Sequence, residues 1–356
     1  MNIIIKNWWR DIDRINLLII IILLIIGMIL SFSTNNQIIY SQKHLIYSFL
    51  SVITLLSLSF LRIKIIRRLA FIGLIITVIN MIVILFMNYE INGAKRWMQL
   101  WWGINVQPSE FLKPFFFIIS AWFLSKGIAG QKFALYFIFI FFLFIASILI
   151  FQPDFGMTML FTMTFFCQLF VAGLSIAFVG LAILLIILLF VLAYIFISHV
   201  NIRIDTWLQT FFNPDPFTQI SVSLDSFKSG GLFGKGPGQG VLKEKLPEAH
   251  TDFIFAVAGE EFGFIFCCII VLLFLIIIIR TLLKLLKIDN PYIIISILGL
   301  ISSFGLQVLI NILSSLDLIP TKGMTLPFIS YGGSSMISTS VLLGFLLSLT
   351  KKKSSE

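Results

Sequence analysis

The reactive side chains of this 356-residue sequence crowd into one stretch, GGLFGKGPGQGVLKEKLPEAHTDFIFAVAGEEFG, from Gly230 to Gly263. Glu248, His250, Thr251 and Asp252 stand together, and Glu260 and Glu261 follow within an apolar run. An aspartate so placed can take a proton from a hydroxyl. It needs burial or a neighbouring carboxylate such as Glu248 to raise its pKa from about 3.9. The same aspartate, the last polar residue before an apolar helix, can instead cap that helix together with Thr251. The residues alone leave both roles open. His250 is equally a hydrogen-bonding neighbour. Glu260 and Glu261 would lie roughly 12–14 Å down the helix, where a carboxylate must be paired or protonated.

Two further groups carry charge where chemistry could use it. Lys95 and Arg96 precede Trp97 just outside an apolar span. They can grip phosphate oxygens while the indole packs on a sugar or lipid, or the three can serve as an interfacial anchor. Glu110 and Lys113 lie three apart, on one face of a helix. They form either a local ion pair or a polar wall of a cavity. Six glycines fall in the eleven residues Gly230–Gly240, but Gly236 follows Gly234-Lys235 where a phosphate-binding P-loop has Ser or Thr. The run is expected to supply positive φ and close backbone approach. Cys167, Cys267 and Cys268 all sit in apolar runs without metal-ligand spacing.

The elements that hold these residues are membrane spans. The chain is 59% hydrophobic and only 12% charged, with a mean hydropathy of +1.07, and apolar runs recur from end to end. Nucleic acid is not indicated, because the basic residues are scattered between apolar runs. The runs predict an all-α polytopic protein of about ten transmembrane helices. The expected spans are 15–42, 45–61, 69–89, 108–125, 133–152, two within 155–202, 253–279, 291–313 and 328–349. The stretch 155–202 has no Asp, Glu, Lys or Arg. As one helix it would reach about 72 Å, more than twice a bilayer core, so it must bend at Gly173-Leu174-Ser175. A single domain over 1–356 is expected, with one large loop at about 198–252. The loops on the side of the termini hold fifteen Lys and Arg against four acids, whereas the other side is balanced at nine each. Both termini are therefore cytoplasmic, and the polar segments face outward. An outward site at the bilayer rim for a lipid-linked anion fits an enzyme, a flippase or a transporter.

Five segments in order resemble the shape, elongation, division and sporulation (SEDS) family. They are Gly93–Trp97 with Gln107-Pro108-Ser109-Glu110 and Lys113; Gln152-Pro153-Asp154-Phe155-Gly156; Gly230–Gly238; Leu246–Gly263; and Pro320–Ser335. Ala249 within Pro247–Asp252 and the Pro320-Thr321-Lys322-Gly323 run are closer to the division branch than to the elongation branch. Asp317 stands where the family pattern has a small or amide residue. The resemblance implies a peptidoglycan glycosyltransferase that polymerises lipid II with inversion and releases undecaprenyl pyrophosphate, in septal synthesis at the bacterial cytoplasmic membrane. It implies Asp252 as the essential carboxylate, acting as base or with a divalent cation such as Mg²⁺ or Mn²⁺. Lys95, Arg96, Trp97, Glu110, Lys113, Glu248, His250, Lys322 and Ser330 are the candidate substrate-binding residues. It also implies a class B penicillin-binding protein (an FtsI-type septal transpeptidase) and other divisome membrane proteins as partners. The alternatives are an elongation-branch polymerase and a lipid II flippase, which needs alternating access and no catalytic carboxylate.

Overall fold

A computed structural model describes residues 3–34, 38–87, 96–99, 105–173, 219–246, 248–319 and 323–351, with scattered residues between 180 and 208. Most of the predicted seventh span and of the large loop up to residue 218 lies outside this set. The described helices are α1 (Ile3–Asp11), α2 (Arg14–Thr34), α3 (Ile38–Ser59), α4 (Ile63–Phe86), α5 (Pro108–Ile128), α6 (Lys132–Phe151), α7 (Phe155–Val171), α8 (Gln219–Gly230), α9 (Ile254–Leu285), α10 (Pro291–Ser315) and α11 (Gly333–Leu349). A two-stranded ribbon pairs β1 (Met98–Gln99) antiparallel with β2 (Asn105–Val106).

Six helices, α2, α4, α5, α6, α9 and α10, are long and apolar enough to cross a membrane; α7 and α11 are shorter apolar helices. The 22-residue α3 stands beside them. The protein is a predominantly helical polytopic membrane protein, and the excess of Lys and Arg on the side of the termini puts that side in the cytoplasm. Helices are forced here because lipid offers the backbone no hydrogen-bond partner. α11 packs on α3 and α5, α5 on α4 and α10, and α10 on α7. Aromatic packing fills the centre: Phe142 stacks on Phe165 with ring centroids 4.5 Å apart, and Phe116 meets Phe161 at a tilt with centroids 4.6 Å apart. In lipid the gain from such contacts is packing rather than release of water.

Several ends differ from the apolar runs. α4 begins at Ile63, so Lys64, Arg67 and Arg68 occupy its first turns rather than a loop. α9 runs to Leu285, so Arg280 and Lys284 lie within it. Long basic side chains extend past a helix end and let the backbone stay helical. The last span begins at Gly333, because residues 327–329 form a turn.

The main departure from a simple bundle is inside α9. Gly263 has φ 84 and ψ 178, which breaks the helix. A break frees backbone groups that lipid cannot satisfy, and the glycine run supplies their partners. Lys235 and Gly236 N–H donate to the Glu260 and Glu261 carbonyls at 3.0 and 2.9 Å. Phe264 and Ile265 N–H donate in turn to the Gly231 and Leu232 carbonyls at 2.9 and 3.3 Å. A Cβ on Gly234 would come within 2.2 Å of the Glu261 carbonyl oxygen, and one on Gly263 within 2.4 Å of Gly234 N. Only glycine fits either place.

Candidate active site

The outer half of α9 is preceded by a tight turn. The N–H groups of Thr251, Asp252 and Phe253 all point to the Glu248 carbonyl, at 3.2, 3.1 and 3.2 Å. The helix then starts at Ile254, with Phe253 as its N-cap and no side-chain cap hydrogen bond. Asp252 therefore does not sit at the N-cap.

The turn is pinned from two sides. The Asn311 amide on α10 donates to the Asp252 carbonyl at 3.0 Å and to the Met324 carbonyl at 2.6 Å. Ser330 Oγ donates to the Thr251 carbonyl at 2.6 Å and accepts from Leu326 N–H at 2.8 Å. Tyr331 N–H donates to the His250 carbonyl at 2.8 Å. Three successive carbonyls are thus held by α10 and the loop before α11. Ser330 is buried and spends its hydroxyl inside the protein.

Arg96 reaches the same place from the other side. Its guanidinium lies 3.6 Å from the Asp154 carboxylate. Asp154 is buried, caps α7 through Met157 N–H, and accepts from Gln107 Nε2 and Ser109 Oγ, each at 3.1 Å. This network anchors the arginine on the ends of α5 and α7. Arg96 Nε is buried without a hydrogen-bond partner. The two charged groups converge over Gly323, which has φ 62. A Cβ there would be 3.5 Å from Asp252 Oδ2 and 4.0 Å from Arg96 Nη2. A carboxylate and a guanidinium thus face one small opening that glycine keeps clear. Trp97, half-buried, follows Arg96.

The remaining candidates divide. Lys113 is buried and pairs with Glu110 Oε2 at 2.7 Å and Gln307 Oε1 at 2.5 Å. Gln307 Nε2 in turn donates to the Thr325 carbonyl at 3.0 Å. This pair fixes α5 to α10 and to the loop carrying Gly323. His250 packs among Tyr40 and Tyr331, with ring centroids at 5.3 and 5.8 Å. Burial lowers its pKa, with Glu248 opposing, so the imidazole is neutral at pH 7. Glu248 Oε2 accepts from Thr251 Oγ1 at 2.5 Å. Lys95 and Lys322 lie outside the described residues.

Glu260 and Glu261 do not reach the opening. Glu260 Oε1 accepts from Lys235 Nζ at 2.9 Å and from the N–H groups of Val241 and Leu242. Glu261 accepts from Lys243 Nζ at 2.7 Å, from Gly238 N–H at 3.1 Å and from Ser33 Oγ. Both carboxylates fasten the glycine segment. Asn311, which helps to build the site, carries no local motif that names it, whereas Asp154 lies in the Gln152–Gly156 segment.

The family signature described as "Cell cycle protein" (FtsW, RodA, SpoVE) matches residues 11–355. A protein of Caulobacter vibrioides, named probable peptidoglycan glycosyltransferase FtsW, is 36% identical over 97% of this chain and 91% of its own. A protein of the same name from Borreliella burgdorferi is 31% identical over 95% of this chain and 96% of its own. Among solved structures, one described as "Structural coordination of polymerization and crosslinking by a peptidoglycan synthase complex" superposes with a TM-score of 0.81. It has 22% identity over 95% of this chain and 97% of that one. The rod shape determining protein RodA of Thermus thermophilus superposes at 0.72, with 23% identity over 96% and 97%.

Proposed function

The chain belongs to the FtsW/RodA/SpoVE family of cell cycle proteins, and on that premise we propose that Asp252 and Arg96 are the working pair of its glycosyl transfer. It is a membrane-embedded peptidoglycan glycosyltransferase. Lipid II fits as substrate, because the opening is outward, at the bilayer rim, and pairs a base with a phosphate-binding cation. Asp252 takes the proton of the acceptor 4-hydroxyl as that oxygen attacks the donor's anomeric carbon. Undecaprenyl pyrophosphate leaves from the opposite face, so the configuration inverts. Arg96 meets the charge that develops on the leaving pyrophosphate, where a fixed cation lowers the barrier most.

A divalent cation is compatible with this arrangement. Among the described residues no group of three or more His, Cys, Asp or Glu could hold one. Mg²⁺, however, is commonly held by one carboxylate together with substrate phosphates. Asp252 would be that ligand, and the ion would add positive charge at the leaving group.

The relatives' shared name supports a role in septal synthesis during division, at the bacterial cytoplasmic membrane. The synthase-complex neighbour supports pairing with a class B penicillin-binding protein of the FtsI type, alongside other divisome membrane proteins.

The single observation carrying this reading is the convergence of Asp252 and Arg96 within 4.0 Å of one point over Gly323. The test is polymerisation of fluorescent lipid II by the chain purified with its transpeptidase partner. Wild type should give glycan ladders and Asp252→Asn none, with both proteins melting at the same temperature. Equal ladders from the two would sink the role of Asp252. Ladders from neither, with lipid II crossing liposome membranes, would favour the flippase.

A further inference from the structure

The cytoplasmic ends of α2, α4, α9, α10 and α11 line a half-open cavity of about 1140 Å³. It lies on the opposite face of the membrane from Asp252, and none of the residues assigned to glycosyl transfer lines it. Eight Lys and Arg residues line it against three aspartates. The buried acid, Asp13, is already neutralised. Arg280 Nη2 and Lys284 Nζ lie 3.1 and 2.7 Å from its two oxygens. Its Oδ1 also accepts from Ile15 and Asn16 N–H at the start of α2. Asp11 is taken by Arg10 at 3.2 Å.

Positive charge is left over. Lys64, Lys287 and Lys351 make no ion pair among the described residues, although all three line the cavity. Arg280 Nε is buried without a hydrogen-bond partner. The N-terminus of α4 also opens here, its N-cap Arg62 giving no side-chain cap, whereas α10 starts beside it with Asn290 Oδ1 accepting from Tyr292 N–H at 3.0 Å. An uncapped helix N-terminus adds partial positive charge and free N–H donors. So many cations in one cavity repel each other unless an anion joins them. Ile15, Ile63 and Ile293, each in the first turn or so of its helix, put apolar surface into the same wall. The volume is that of a site for a whole small molecule.

We propose that this cavity binds a phosphate-bearing anion, the headgroup of an anionic phospholipid of the cytoplasmic leaflet. Cations with an apolar wall at that interface are the chemistry such a headgroup selects. A soluble polyphosphate presents the same oxygens without the acyl chains. The proposal does not rest on the glycosyl-transfer reading.

The test uses the full chain in uncharged detergent. Native mass spectrometry compares retention of phosphatidylglycerol and phosphatidylcholine with the same acyl chains. A parallel thermal-shift titration uses inorganic pyrophosphate. Both are repeated on the triple variant Lys64→Gln, Lys287→Gln, Lys351→Gln, and on Lys287→Gln alone in case the triple variant does not fold. The expected result is preferential retention of phosphatidylglycerol, weakened about a hundredfold in the triple variant. Pyrophosphate stabilisation that the variants lose, without a lipid preference, would keep the site and assign it a soluble ligand. Equal retention of the two lipids with no pyrophosphate effect overturns the proposal, as does binding that the variants leave unchanged.

Discussion

Lys243 Nζ lies 2.7 Å from Glu261 Oε1, and this contact closes the glycine segment over the break in α9. The carboxylate side chain is fully buried and the lysine side chain nearly so. Removing one partner strands a buried charge, so Glu261→Gln or Lys243→Met alone is expected to cost about 3–5 kcal/mol. Removing both should cost less than the sum of the two. Reversible denaturation of the four proteins in a double-mutant cycle reads the coupling, and strict additivity would show that the pair holds nothing.

Gly263→Ala puts a side chain where φ is 84 and ψ is 178, a region open essentially to glycine. Its Cβ would also strike Gly234 N at 2.4 Å. Strain and clash together predict a loss above about 2 kcal/mol. The loop should also become easier to cleave, so limited proteolysis between residues 230 and 245 is the readout. Wild-type protease resistance would mean the loop can seat without the glycine.

Arg96→Lys keeps the charge but loses the guanidinium fork that suits phosphate oxygens. Arg96→Ala removes both. Polymerisation is expected to fall about 10²–10³-fold for alanine, the cost of losing one aimed electrostatic donor, and less for lysine. The melting temperature should move little for lysine, whereas alanine also leaves the buried Asp154 carboxylate without its cation, so lysine is the cleaner test. A variant with full activity would remove Arg96 from the reaction.

Gly323→Ala tests the opening itself. The added methyl would stand 3.5 Å from Asp252 Oδ2, and a φ of 62 costs an alanine about 1–2 kcal/mol. Activity should drop far more than that modest destabilisation explains. Parallel losses of activity and stability would point to a purely structural glycine.

His250 has its pKa lowered by burial, with Glu248 opposing. A histidine depressed on folding binds its proton more readily in the unfolded chain. Its stabilising contribution is therefore complete above about pH 6.5 and is lost as pH falls through the folded pKa. Wild type should lose melting temperature between pH 6.5 and 5 more steeply than His250→Gln. Identical pH profiles would contradict the burial of a neutral imidazole.

The spans were legible because lipid leaves an apolar run no choice but a helix. Their ends were less so: Lys64, Arg67, Arg280 and Lys284 read as loop residues, yet their long stems let α4 and α9 continue. Asp252 was legible as a carboxylate at a helix mouth, but not its relation to the cap. That depended on a turn closed by the Glu248 carbonyl. Partners for Glu260 and Glu261 were required by their depth. Their identity was hidden, since Lys235 and Lys243 meet them by a tertiary fold-back that leaves no period in the sequence. Asn311 was invisible for the same reason, since it acts through contacts distant in the chain; Asp154 stood out within Gln152–Gly156, but its tie to Arg96 did not.

The break at Gly263 divides α9 into a short outer segment and a longer inner one, and the glycine segment bonds both. Residues 254–262, which follow directly on Asp252, are tied by backbone and by two ion pairs to the glycine segment. The longer inner half continues on toward the cytoplasmic side. The glycine segment thus splints the break from outside, while the turn that carries Asp252 is held separately by Asn311, Ser330 and Tyr331.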